Sequence, residues 1–212
     1  VIMISTLTEK GAPATLDALE YGAVDYLPKP KDNLGSGLAD YSLIIQQKIR
    51  DAAQANIGSF ERNQQYHHRV GEGVGYSGHF APHALIAIGA STGGTEAIKE
   101  VLLRMPVNCP PIVMAQHIPP IFSTSYAERM NRTCAISVSE VQGGEILEPG
   151  HAYLAPGHSH LGVIRRGDKY VTRLSQADPV NRHRPSVEVL FDEARKAAGQ
   201  NCVAAILTGM GS

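Results

Sequence analysis

The chain has 212 residues, 43% of them hydrophobic, and a formal net charge of −1 at pH 7. That is enough apolar material for one or two domains with a real core, and the balanced charge, without a long basic run, argues against nucleic acid or an anionic membrane surface as partner. No apolar run reaches the roughly 20 residues that span a bilayer, so the protein is expected not to be membrane-embedded.

The start shows no signal-peptide pattern. Cys109, Cys134 and Cys202 are far apart and odd in number. They read as reduced thiols, which points to the cytoplasm.

In chain order, "VIMIS" opens on Val rather than Met and reads as a buried strand already under way. "EKGAPATLDALEYGA" has apolar residues at helical spacing and stops at Gly22, a C-cap glycine. "VDYLPKP" is a second strand, ended by Pro28 and Pro30. "LADYSLIIQQKIRDAAQ" is amphipathic, with Leu43, Ile44, Ile49 and Ala52 toward one side. This β-α-β-α run predicts half of a doubly wound sheet over residues 1–55. Residues 56–82 are polar and glycine-rich without a period, and predict a linker. The adjacent His67 and His68 have no further ligand set around them and read as solvated linker rather than a metal site.

A second α/β unit is predicted over residues 83–212. "HALIAIG" is a strand, "GTEAIKEVLLRM" a helix, "PPIVMAQH" a buried strand and "IFSTSYAERMNRT" a helix. "AISVSEV" and "HAYLAP" are strands, and "HLGVIRRGDKYVTRL" is a hairpin turning at Gly167 and Asp168. "PSVEVLFDEARKAAG" is a helix with Pro185 in its first turn and Gly199 at its end. "NCVAAILTGMGS" is a strand running into a glycine turn, and a strand normally feeds a further element. The chain therefore reads as an internal piece of a longer protein.

The chemistry concentrates in "LIAIGASTGG", residues 85–94. Strand, glycine turn and helix could cradle a phosphate. A Walker A loop, however, needs a lysine after its last glycine, and Thr95 stands there. A dinucleotide fingerprint needs a second glycine where Ser91 stands. Anion binding by the helix-start amides is left as the alternative. Gly89-Ala90-Ser91-Thr92-Gly93 does match G-x-S-x-G between a strand and a helix, where a sharp turn presents a serine hydroxyl beside helix-start amides.

A nucleophilic serine needs a base. His117 ends the next buried strand, and adjacent parallel strands deliver their carboxyl ends to one crevice. His151, His158, His160 and His183 lie near predicted loops or hairpin ends. The His158–His160 pair, without a further ligand set, reads as surface polar rather than metal-binding. An orienting carboxylate is not evident: Asp168 sits in a turn, Asp178 in a polar loop and Asp192 on an exposed helix face.

"IGASTGG", "QHIPP", "YLAPG", "NRHRPSV" and "LTGMG" together resemble, in order and spacing, the catalytic domain of the CheB family, the protein-glutamate methylesterases of bacterial chemotaxis. "VIMISTLTEKGAPATLDALEYGAVDYLPKP" resembles the C-terminal half of that family's flavodoxin-like response-regulator receiver. The resemblance implies hydrolysis of glutamate methyl esters on chemoreceptors, and deamidation of receptor glutamines, with no cofactor for the hydrolysis. It implies Ser91 as nucleophile, His117 as base, and the backbone amides of Thr92 and Met210 as oxyanion-hole candidates. In the receiver half it makes Ser5 the phosphate-sensing hydroxyl, Tyr26 the switch aromatic and Lys29 the phosphate-contacting lysine. The implied partners are methyl-accepting chemotaxis receptors and a histidine kinase that phosphorylates the complete receiver, which would bind Mg²⁺. Two features depart from the family. Its third triad member, an Asp, would be the residue after Ser212, and the receiver's phosphate-accepting Asp and acidic metal-binding pair would precede Val1. The expectation is a fragment impaired in catalysis. The competing reading is a non-catalytic module that binds a receptor tail or another signalling protein.

Overall fold

A computed structural model describes residues 1–5, 12–29, 34–54 and 79–208. Its elements are β1 (Ile2–Ser5), α1 (Ala12–Glu20), β2 (Asp25–Pro28), α2 (Leu34–Gln54), β3 (Leu85–Ala90), α3 (Gly94–Leu102) and β4 (Ile112–Gln116). They continue with α4 (Pro120–Thr133), β5 (Ser137–Glu140), β6 (His151–Leu154), β7 (His160–Arg166), β8 (Lys169–Ser175), α5 (Val187–Ala198) and β9 (Cys202–Ile206). The linker expected over 56–82, with His67 and His68, falls almost wholly outside the described residues.

The centre is a five-stranded sheet in the order β5-β6-β4-β3-β9, every neighbouring pair parallel. Its strands alternate between two cores, as a pleat buried on both faces requires. Ile88 and Ala90 of β3, Ile112 and Met114 of β4, and Ala152 and Leu154 of β6 join one cluster with Ile98 and Leu102 of α3 and Phe122, Tyr126 and Met130 of α4. Leu85, Ala87, Val113, Ala115 and Tyr153 turn the other way, onto Leu190, Ala194 and Ala198 of α5 and onto Leu161, Val163 and Tyr170 of the antiparallel β7–β8 hairpin. This is the α/β, mostly parallel doubly covered architecture that the strand and helix pattern predicts.

The N-terminal elements form a separate parallel pair, β1 with β2. They sit on the α3–α4 face: Leu16, Leu19 and Tyr26 belong to the same buried cluster as Phe122 and Met130. Tyr26 meets Phe122 edge-on, with ring centroids 4.9 Å apart, and Arg129 pairs with Asp17 at 2.7 Å.

The start of α5 differs from expectation. Pro185 lies before the helix, following a cis peptide bond after Arg184. Ser186 is the N-cap, its side chain accepting a hydrogen bond from the Val189 amide. A hydroxyl that can take an orphan helix-start amide wins the cap over a ring that has only a fixed φ to offer. Gly199 closes the helix with φ 56°, as predicted.

Candidate active site

Ser91 follows directly on β3, and the turn around it closes because its neighbours are small. Gly93 takes φ 73° at the N-cap of α3, a conformation that a side chain would strain. At Gly94 a Cβ would lie 1.9 Å from Gln116 Oε1 and 2.7 Å from the Ala90 Cβ. The Ser91 carbonyl accepts from the Gly94 amide at 2.8 Å, and the Ser91 amide donates to the Thr208 carbonyl at 2.9 Å, just past β9. Three parallel strands thus contribute to one turn at their carboxyl ends.

His117 follows on β4, its amide donating to the Ala90 carbonyl at 3.2 Å. Its Nδ1 stands 3.0 Å from Ser91 Oγ. A neutral ring that accepts there carries its proton on Nε2, which is buried and has no hydrogen-bond partner among the described residues. Gln116, buried, donates from Nε2 to the Ser91 carbonyl at 2.8 Å and to the His117 carbonyl at 3.3 Å. One amide therefore ties the backbone of both residues together.

The electrostatics favour an uncharged His117. Burial, and then the neighbouring His183 and Lys48, push it down to about 4, against the opposing pull of Glu188. Desolvation penalises the imidazolium, so at neutral pH the ring is free to take a proton. Glu188 is spoken for elsewhere. Burial raises its carboxyl, but hydrogen bonds from Ser186 and Asn181 outweigh this and hold it below its ordinary value.

Other predicted residues fall as follows. The Thr92 hydroxyl donates to Asp25 Oδ2 at 3.0 Å. Asp25 also pairs with Lys48, so a carboxylate of β2 reaches the residue beside Ser91. Ser5 pairs in register with Pro28, putting Ser5 and the exposed Lys29 at the same end of β1 and β2. Tyr26 is buried against Phe122. Met210 lies outside the described residues. Asp168, Asp178 and Asp192 are exposed, in keeping with their reading as solvated groups.

His160 departs from the surface reading, and His183, exposed in its turn, meets His117. His160 is buried, donating from Nε2 to the Asp178 carbonyl at 3.1 Å and accepting at Nδ1 from the Ser186 amide at 3.1 Å. His183 stacks flat on His117, with ring centroids 3.7 Å apart and planes 10° from parallel. Sequence reasoning missed it, together with Gln116, Asp25, Lys48 and Glu188. The adjacency of Gln116 to His117 was a usable signal; the others meet the site only through tertiary packing.

Residues 86–212 match the family model for the CheB methylesterase. The whole chain is 53% identical over 213 residues to the protein-glutamate methylesterase/protein-glutamine glutaminase of Nitrosomonas europaea, spanning 60% of that protein. It is 46% identical over 212 residues to the protein of the same name from Salmonella typhi, spanning 59% of it. The crystal structure of the Thermotoga maritima CheB methylesterase catalytic domain is similar to 60% of the chain, with TM-score 0.58 and 39% identity, over 68% of that structure. The chain thus spans about three-fifths of the length of these curated relatives.

Proposed function

The chain belongs to the CheB methylesterase family, and from that membership we propose that it is the catalytic core, with part of the receiver, of a cytoplasmic enzyme that hydrolyses glutamate methyl esters, and deamidates glutamines, on chemotaxis receptors. The observation that carries this reading is the 3.0 Å approach of Ser91 Oγ to His117 Nδ1 at the mouth of a strand-to-helix turn.

Ser91 Oγ attacks the ester carbonyl carbon as His117 Nδ1 takes its proton. The oxyanion collects at the start of α3, where backbone amides and the helix N-terminus favour negative charge. The Ser91 amide is bonded to Thr208; by resemblance to the family, the donor role goes to the backbone amides of Thr92 and Met210. His117 then protonates departing methanol, and water hydrolyses the acyl-enzyme by the same route reversed. His117 Nε2 is the point at which an orienting carboxylate would act. None of the described residues supplies one, so the acid is assigned to residues beyond those described, and the chain through Ser212 is expected to turn over poorly.

The N-terminal elements fit a regulatory role. Asp25 touches Thr92 beside the nucleophile, so a receiver seated this way covers the site until kinase phosphorylation lifts it. Ser5, Tyr26 and Lys29 suit a phosphate switch. They include no acidic pair, and no group of three His, Cys, Asp or Glu able to hold a metal occurs among the described residues.

The test uses the chain extended to the relatives' full length, with methanol release from methylated receptor as the assay. Ser91→Ala is expected to lose at least about 10⁴-fold, and a serine-directed fluorophosphonate is expected to label only the parent. A fully active Ser91→Ala protein would refute the nucleophile. An unlabelled, inactive parent would favour the non-catalytic binding module. Equal rates from the extended and the 212-residue chains would remove the assignment of a further acid.

A further inference from the structure

The turn that carries His183 is exposed, yet it is held by a set of specific bonds. Val180 and His183 bridge each other, amide to carbonyl in both directions, at 3.1 and 2.9 Å. The two residues between them, Asn181 and Arg182, both lie in the left-handed region, with φ 49° and 67°. A two-residue turn of this hand normally uses glycine at one of these places. Here Arg182 occupies the second, and a strained non-glycine residue persists only where its surroundings over-determine it.

Those surroundings are visible. Asn181 Nδ2 donates to Glu188 Oε1 at 3.0 Å, and Ser186 Oγ donates to Glu188 Oε2 at 2.5 Å. Ser186 is fully buried at the N-cap of α5 and its amide bonds to His160. From the far side, His160 Nε2 donates to the carbonyl of Asp178, two residues before Val180. The turn is pinned at both ends to the core, and what it presents is one face of an imidazole, laid parallel on His117 at 3.7 Å.

We propose that His183 is a positioning residue: its ring lies flat on His117 and holds that imidazole in the plane in which Nδ1 faces Ser91 Oγ. This rests on reading Ser91 and His117 as nucleophile and base. His117 has no hydrogen bond at Nε2 among the described residues, so rotation about its side-chain bonds is checked at only one nitrogen by bonding. The stack restrains the plane of the ring, in addition to the bond at Nδ1 and to the carboxylate assigned to Nε2. His183 exchanges no proton. The proton moves from Ser91 Oγ to His117 Nδ1 and on to the departing methoxide, while the serine-carbonyl bond forms and the ester C–O bond breaks.

The electrostatic consequence follows from the same stack. Two imidazolium rings face to face repel, whereas a neutral ring presents an electron-rich face to a cation. His183 is itself held below its ordinary value by burial and by Lys48 and Arg182, with Glu188 opposing. The charged groups acting on the pair are Glu188 from α5, Lys48 from α2 and Arg182 from the turn.

The experiment compares His183→Ala and His183→Phe in the chain extended to the relatives' full length, with the parent as reference. The readouts are kcat, KM and the acid limb of kcat for methanol release, alongside a thermal melt. His183→Phe keeps the flat ring and is expected to retain kcat within about 3-fold. His183→Ala is expected to lose about 10- to 100-fold in kcat with KM within 2-fold and an unchanged melt. Both variants remove a like-charge neighbour, so both should move the acid limb to higher pH. Equal losses in the two variants, a change confined to KM, or parental kcat in His183→Ala would each overturn the proposal. An inactive parent would instead strike the functional reading on which it rests.

Discussion

The carboxylate of Asp25 accepts a hydrogen bond from the hydroxyl of Thr92 at 3.0 Å, one residue past Ser91. A strand of the N-terminal pair thereby holds the side chain next to the candidate nucleophile. Asp25 is buried and paired with Lys48, so its charge is compensated from α2 rather than by solvent.

If this contact keeps the site covered, Asp25→Ala in the full-length protein should raise basal methanol release several-fold and narrow the difference made by phosphorylation. Removing the carboxylate that pairs with Lys48 should also cost about 1–3 kcal/mol of stability. Initial rates with and without a phosphodonor, together with a denaturant melt, measure both. A basal rate equal to the parent's would show that the contact does not restrain the enzyme.

The proton affinity of His117 gives a second prediction. An ordinary histidine titrates near 6.5, and burial brings this one to about 4. The folded state then binds fewer protons than the unfolded state between these values. Stability is therefore full above about 6.5, declines as pH falls below that, and the loss is complete below about 4. Titration of the His117 ring proton by NMR in the 212-residue chain should give a midpoint near 4. A midpoint near 6.5 would show a solvated ring and remove the electrostatic argument for a neutral base.

Gly94 provides the third. The Cβ of an alanine would meet Gln116 Oε1 at 1.9 Å, displacing the amide that ties Ser91 to His117. Gly94→Ala should cost roughly 1–3 kcal/mol by overpacking and sharply slow fluorophosphonate labelling of Ser91. Gln116→Leu should slow labelling in the same way without the steric clash. Unchanged labelling in both variants would leave Gln116 without a positioning role.

The positions of Ser91 and His117 were legible because each follows a buried strand, and in a parallel sheet neighbouring strands end on one side. Runs such as "LIAIGA" and "IVMAQ" announce those strands by composition alone. His183 was not legible in the same way. It lies in a polar stretch between a hairpin and a helix, and only the clamp from Glu188, Ser186 and His160 brings its ring onto His117. Asp25 was hidden for a related reason: a charged residue opening a strand reads as solvated until the packing of Leu16, Leu19 and Tyr26 on α3 and α4 encloses it. Pro185 misled because proline suits both the first turn of a helix and the residue before its cap.

The bond from the Ser91 amide to the Thr208 carbonyl also sets an order of events. During synthesis both the hydroxyl and the imidazole leave the ribosome long before β9 exists, and contacts between distant parts of a chain form late. The turn that presents Ser91 is incomplete until β9 has docked, so a nascent chain carries Ser91 and His117 without the backbone support that aims the serine.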